Sequence, residues 1–421
     1  MDKFLEILST MARNPLRTFL TSMGVFWGIL MLVLLLGAGN GLQNGIRAMF
    51  EGLDMNSMFV WGQKTTIPYK GFKPGRTYNF KNGDVTALKE QVPELKYVCP
   101  RGQLGGYGND NNVGRNTKTG NYTVCGDYPE IIHIQQMQMT SGRFLNYNDI
   151  NDKRKICVIG QKIVDELYDP GEEVLGSYIK IQGVFFQVVG VFTINKSGQE
   201  AIRDLNTIYV PFSTFQRVFN WGETVGWFAL SVKPGIDPYE AEQKVKKILL
   251  SRHHISPDDT RAVGSFNAAT ESAKFNTLFA GLNLIILIVG MGTLFSGGIG
   301  VMNIMLISVA ERTKEIGIRK AMGATPGNIL VMIISEAIIV TFLSGFIGLA
   351  LGIGIIDLLD YAIGVPVQGA DGEASMFRRP EIDAWVAIMS VVVLIVIGVF
   401  AGWYPASRAV KIDPIKALRT E

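Results

Sequence analysis

Cysteine and histidine are scarce, with 3 of each among 421 residues. Three thiols (Cys99, Cys125 and Cys157) exclude a disulfide-dense scaffold, and the odd number leaves at least one without an intrachain partner. A Cys99–Cys125 bridge stays open as an expectation. The histidines (His133, His253 and His254) lack the spacing of metal ligands, and no Ser/His/Asp or Cys/His arrangement has local support. The longest basic block is Lys153–Arg154–Lys155, too short for a nucleic-acid footprint, so no nucleic-acid partner is expected. No GxxxxGK[ST] loop occurs, so that kind of phosphate cradle is missing. Charge is absent altogether from Thr18–Ile46, Phe275–Ala310, Ala337–Ile356 and Ala384–Ser407. The 40 basic and 37 acidic residues are confined to the remainder. A purely cytosolic enzyme is thereby excluded; the chain reads as soluble material joined to membrane segments.

A hydrocarbon core about 30 Å thick needs about 20 apolar helical residues. The four charge-free runs supply four spans, and the second run is too long for one crossing, which predicts a span with an extension. Lys and Arg near the span ends set the orientation. Lys3, Arg13 and Arg17 flank the first span, Arg312, Lys314, Arg319 and Lys320 lie between spans two and three, and Arg408, Lys411, Lys416 and Arg419 close the chain. These segments read as cytoplasmic, with 41–274 and 357–383 outside. The first span competes with a cleaved signal peptide, but its apolar run is long and 17 residues precede it. Those residues alternate Phe4, Leu5, Ile7, Leu8 and Met11 with charges, as an interfacial amphipathic helix does.

The outer segment 41–274 is long enough for its own core and reads as mixed α and β. Asp84–Gln91 and Pro238–Leu250 have helical periodicity, while Lys155–Ile159, Tyr178–Gln182, Phe185–Phe192, Thr207–Val210 and Trp227–Val232 read as strands. A β-rich block at about 100–215 looks inserted into a smaller α/β unit, giving two subdomains. Gly102–Gly120, rich in Gly and Asn, reads as a hairpin tip or a mobile loop. Pairs such as Glu172–Glu173 and Asp258–Asp259 read as solvated turns.

Small residues four apart recur in every span: Gly24/Gly28, Ser296/Gly300, Gly348/Gly352 and Gly398/Gly402. They serve close helix packing, either inside one subunit or at a dimer seam. Glu336 falls within the third span, where an acid is costly; Asn303 or a polar group near Arg17 are its expected partners. Between spans two and three, ERTKEIGIRKAMGATPGN combines the apolar Ile316, Ile318 and Met322 with Glu311, Lys314, Glu315, Arg319 and Lys320. Glu315→Arg319 is the favourable i,i+4 direction. Gly323 is placed to stop this helix, and Thr325–Pro326 to start the next. A short amphipathic helix of this kind suits docking of a soluble partner.

Together, ERTKEIGIRKAMGATPGNI, GGIGVMNIMLISVA before it, the tail PASRAVKIDPIKALRTE and ARNPLRTFLTSMGVFWGI resemble the FtsX-like permease domain of MacB-type ABC transporters. The outer segment is similar to the MacB-like periplasmic core in DVTALKEQVPELKYVCP, SGRFLNYNDINDKRKICVIGQKIVDELY, FFQVVGVF and IYVPFSTFQRVF. The resemblance implies 1–40 as amphipathic helix and first span, 41–274 as periplasmic core, and 275–421 as permease domain with spans at about 275–310, 327–356 and 384–407. It implies an inner-membrane permease, dimeric with itself or with a paralogue, that binds no cofactor directly. ATP and Mg would sit on a separate cytoplasmic ABC ATPase, since the fused ATPase domain of some members is missing from the sequence. Glu311, Lys314, Glu315, Ile316, Arg319, Lys320 and Gly323 would form the coupling helix. The implied work is mechanotransmission, with export through a periplasmic adaptor and an outer-membrane channel; lipoprotein release, or control of an envelope enzyme or sensor, are the alternatives.

Overall fold

The computed structural model describes residues 15–50, 52–105, 112–195, 199–364 and 384–414. The expected interfacial helix at the N-terminus, most of segment 357–383 and the end of the tail lie outside them. Contacts divide the chain into two compact units, one containing the long apolar helices and the other running over Arg47–Asn276.

Four helices are long and apolar enough to cross a membrane, as the charge-free runs predict. They are Pro15–Met49, Ala268–Glu311, Pro326–Gly364 and Ala384–Val410. The second has 44 residues, about 66 Å of helix, roughly twice the hydrocarbon thickness. The third continues past Asp357 and Asp360, because charge limits what enters lipid without ending a helix. Their common core includes Val25, Ile29 and Val33 of the first helix, each one turn from the next, with Leu294, Ile333 and Leu394 from the other three.

Three of the four small-residue pairs are consumed within this bundle. A side chain at Gly24 would meet Gly297, one at Gly348 the backbone of Phe26, and one at Gly402 the third helix at Ala337. A side chain at Gly300, in contrast, would meet no other element within 4 Å among the described residues.

The second unit is α/β. Its strands are β1 (Ser57–Gly62), β2 (Phe80–Lys81), β3 (Leu95–Leu104), β4 (Val113–Arg115), β5 (Lys118–Gly120), β6 (Thr123–Asp127), β7 (Met137–Gly142), β8 (Ile156–Gly160), β9 (Tyr178–Ile181), β10 (Val184–Ile194), β11 (Thr207–Pro211), β12 (Thr224–Val225), β13 (Trp227–Val232) and β14 (Val263–Asn267). Twelve of them form one sheet in the order β14-β1-β13-β3-β6-β11-β8-β10-β9-β4-β5, with β7 on β10. The chain enters the unit ahead of β1 and leaves it after β14.

Strand β3 joins the two halves of the sheet. Its residues Leu95–Arg101 pair with β13, and Gly102–Leu104 with β6. One buried cluster combines Val85 and Leu88 of helix Asn82–Gln91 with Val245 and Leu249 of helix Pro238–Arg252. Another, around Cys157, Ile159, Phe186 and Phe215, belongs to the β-rich half. Gly102 and Gly126 are register partners, and a Cβ on either would collide with the Phe215 side chain. Two glycines side by side thus make the floor on which that ring lies.

The seam also buries an ion pair. Arg101 Nε lies 2.7 Å from Asp127 Oδ2, and the guanidinium sits 4.6 Å from the Trp227 ring centroid. Burial pushes the Asp127 carboxyl up to about 7, against the pull of Arg101. All three cysteines are buried and free. The Cys99–Cys125 bridge does not form, because the register sets Cys125 opposite Gln103, four residues along β3 from Cys99. That is about 13 Å of strand, twice the span of a disulfide.

Glu172 and Glu173 are exposed as expected, with Glu172 paired to Arg115, whereas Asp259 is 1% exposed and accepts hydrogen bonds from Thr66 and Ile67. His253 is likewise engaged, 2.7 Å from Asp84, and no group of three His, Cys, Asp or Glu among the described residues could hold a metal ion.

Candidate functional site

The segment between the second and third membrane helices is a built structure. The second helix ends at Glu311, and Arg312 leaves helical geometry with φ −97° and ψ 18°. A new helix, Thr313–Ala321, starts at once. Its C-terminus closes through Gly323 at φ +100°, a conformation that favours a residue without Cβ. The amide of Gly323 donates to Lys320 O, and that of Ala324 to Arg319 O. This crossed pair of bonds satisfies two carbonyls that a bare helix end would leave open. Thr325 then caps the third membrane helix, its Oγ1 accepting from the Asn328 amide at 3.4 Å, with Pro326 in the first turn.

The short helix has two unlike faces. Inward, Ile316 is 2% exposed and belongs to the core of the membrane helices, with Gly317 buried beside it. Lys320 also turns inward. Its Nζ donates to Val410 O at 2.8 Å and Ile412 O at 2.7 Å, at the end of the fourth membrane helix. A cation at a helix C-terminus satisfies orphan carbonyls and complements the helix dipole.

Outward, Lys314 and Glu315 are exposed, and Glu315 pairs with Arg319 at 2.8 Å as the spacing predicts. Arg319 also reaches Met332 Sδ at 3.0 Å on the third membrane helix. The expected apolar set splits between the faces. Ile318 is 41% exposed and Met322 76%, so both stand on the charged side away from Ile316.

Glu336 is 7% exposed and pairs with Arg312, Nη1 to Oε2 at 3.4 Å. Of the two expected partners, Asn303 is exposed on the second helix, and the neighbourhood of Arg17 lies outside the described side chains. An acid within the third helix is therefore answered by a cation at the break between the second helix and the short one. Such a pair joins the two helices because an unanswered charge there would be costly.

The expected site residues thus fall into three places. Ile316 and Lys320 anchor the short helix. Lys314, Glu315 and Arg319 lie on its outer side, with Glu311 exposed just before it and Gly323 closing it. Glu336 and Asn303 lie apart. Sequence reasoning used Arg312 for orientation alone, since it lies 24 positions from Glu336, and it missed the Val410 and Ile412 carbonyls, to which no motif points.

Comparison with known proteins agrees along nearly the whole chain. The family described as MacB-like periplasmic core domain matches residues 18–248, and the FtsX-like permease C-terminal family matches residues 284–414. The macrolide export ATP-binding/permease protein MacB of Bdellovibrio bacteriovorus is 30% identical over 417 residues, which are 98% of this chain and 60% of that protein. The uncharacterized ABC transporter permease YknZ of Bacillus subtilis is 26% identical, with 98% of each chain covered. The crystal structure of the periplasmic region of MacB from Actinobacillus actinomycetemcomitans aligns with a TM-score of 0.43 at 16% identity, over 53% of this chain and 94% of that one. The chain accordingly spans about six-tenths of the length of the ATP-binding/permease relative.

Proposed function

The chain belongs to the family of ABC transporter permeases that join a MacB-like periplasmic core domain to an FtsX-like permease domain, and from that premise we propose that it converts ATP hydrolysis on a separate cytoplasmic ABC ATPase into movement of its α/β unit. The short helix Thr313–Ala321 is the docking element. In this reading both termini and the short helix are cytoplasmic, Arg47–Asn276 is periplasmic, and the membrane is the inner one. The cargo leaves by way of a periplasmic adaptor and an outer-membrane channel, so the permease acts by mechanotransmission. ATP and Mg stay on the ATPase.

The observation that carries this reading is the two-faced short helix. Its inner side is held by the Ile316 side chain in the membrane core and by the Lys320 ammonium on the fourth helix. Its outer side offers Ile318 and Met322 to a partner, among Lys314, Glu315 and Arg319. Apolar anchors within a charged rim suit a protein interface. A force applied to that face reaches the second, third and fourth membrane helices through Arg312, Arg319 and Lys320.

The same reading includes a second copy of the permease against the second membrane helix. Among the described residues, Gly281, Gly292 and Gly300 have nothing within 4 Å of a would-be Cβ, and Ser296 and Asn303 are exposed on that helix. Small residues allow close helix approach in lipid, and an amide gains a polar partner there.

The test replaces Ile318→Glu and Met322→Glu together and isolates the full chain from native membranes. The expected result is loss of a copurifying ABC ATPase with the thermal midpoint unchanged. Undiminished copurification and undiminished ATPase stimulation would sink the docking role.

A further inference from the structure

Residues Gln63–Tyr78, between β1 and β2, form an ordered loop that the membrane reading does not use. It contains Lys64, Lys70, Lys73 and Arg76 and no acidic residue. Its apolar side chains face outward, with Ile67 37% and Phe72 43% exposed. Lys64, Lys70 and Lys73 are exposed around them.

The loop is nonetheless rigidly held. Asp259 accepts from Thr66 N at 2.6 Å, Thr66 Oγ1 at 2.7 Å and Ile67 N at 3.0 Å. Thr65 Oγ1 accepts from Arg76 N, and Arg76 Nη2 donates to His253 O at 2.6 Å. Tyr69 and Phe72 exchange both backbone hydrogen bonds around Lys70 (φ +48°) and Gly71 (φ +85°). Two consecutive positive φ values make a tight hairpin turn, and a lysine in that region costs about 1 kcal/mol. The Arg76 guanidinium stacks 4.1 Å from the Phe72 ring centroid, fixing one side of the ring and leaving the rest outward.

A loop held in this way with its aromatic tip in water contributes little burial to the fold. Its organisation matters for what the tip meets, because a pre-ordered loop loses less entropy on binding. We propose that this tip is a protein-docking surface whose partner presents an acidic rim around an apolar recess. Ile67, Tyr69 and Phe72 enter the recess, while Lys64, Lys70 and Lys73 face the carboxylates. Charge complementarity selects the partner. The fold favours a protein over a lipid surface. The β1–β14 ladder runs from Met58↔Asn267, where the chain enters and leaves the unit, to Gly62↔Val263, where the loop begins. The tip is thus at the end of that ladder remote from the segments that lead into the membrane helices.

The test uses the full chain in living cells with a photo-crosslinker, Phe72→p-benzoylphenylalanine, and Phe185→p-benzoylphenylalanine as the control at another exposed aromatic. Irradiation at position 72 is expected to give one protein adduct that position 185 does not, joined through a peptide on an acidic surface of the partner. Adding Lys64→Glu, Lys70→Glu and Lys73→Glu is expected to lower that adduct about 10-fold while the thermal midpoint holds. Any of three results overturns the proposal: no adduct at position 72, adducts with lipid alone, or a protein adduct indifferent to charge reversal. None of these outcomes depends on whether an ATPase docks at the short helix.

Discussion

Replacing Lys320→Met keeps the aliphatic stem against the fourth membrane helix and removes only the ammonium. Two hydrogen bonds are lost, to Val410 O and Ile412 O. A hydrogen bond from a charged group contributes about 1.5–3 kcal/mol, and the partial exposure of Lys320 places each near or below the low end. The freed carbonyls regain some water, so a combined loss of about 2–3 kcal/mol is expected. At about 1.4 kcal/mol per decade this becomes a roughly 30- to 140-fold rise in local opening. Hydrogen–deuterium exchange of the full chain in lipid nanodiscs reads it directly. Amides of Thr313–Ala321 and of the last turn before Val410 should exchange faster together, since one contact holds both. Lys314→Met, on the exposed side of the same helix, should leave both segments within about 3-fold of the parent. If Lys320→Met left exchange unaltered in both segments, the ammonium would not be what holds the short helix to the fourth, and the proposed force path through it would fail.

Two further outcomes follow from the α/β unit. Arg101→Met leaves the buried Asp127 carboxyl without its partner and should destabilise the unit by about 3–5 kcal/mol in chemical denaturation. Arg101→Met with Asp127→Leu should recover much of that, because neither charge is then left buried alone; equal loss in single and double variants would refute this account. Asp84 illustrates the opposite direction. Burial alone would push its carboxyl up, but hydrogen bonds from His253, Arg252 and the Lys81 amide outweigh burial and hold it at about 2, below its ordinary 3.8. A depressed carboxyl contributes stability that is fully present above pH 3.8 and is lost as pH falls through 2. The thermal midpoint of the full chain should therefore drop between pH 4 and 2, and Asp84→Asn should flatten that drop while lowering the midpoint at pH 7. An identical acid slope in both proteins would count against it.

Much of the membrane part was readable because a bilayer imposes a one-dimensional rule: charge is kept out of a long run. The break and cap residues Gly323 and Thr325 were readable for a related reason, since each acts within four residues of itself. The Glu315–Arg319 pair falls in the same class. Contacts between distant positions were not. Glu336 met Arg312 rather than Asn303 because helix rotation, set by close contacts such as Gly348 of the third helix with Phe26 of the first, decides which side chains face each other. The splitting of Ile316 from Ile318 and Met322 has the same origin: periodicity groups apolar residues without saying which of them the neighbouring helices cover. In the α/β unit, five strands were legible from β-branched and aromatic runs. Strand β3 was not, because its Lys96, Pro100, Arg101 and Gly102 interrupt the pattern that such runs rely on. Its middle residues are buried all the same, at a place where Arg101 has Asp127 for company.

That strand has a consequence for how the unit can bend. In many two-lobed proteins a flexible linker serves as a swivel, and each lobe turns freely at no cost in bonding. Here the joint is a continuous ladder carried by one strand, so parting the lobes means unzipping backbone pairs one after another. Torque applied to either lobe is passed to the other with little slack.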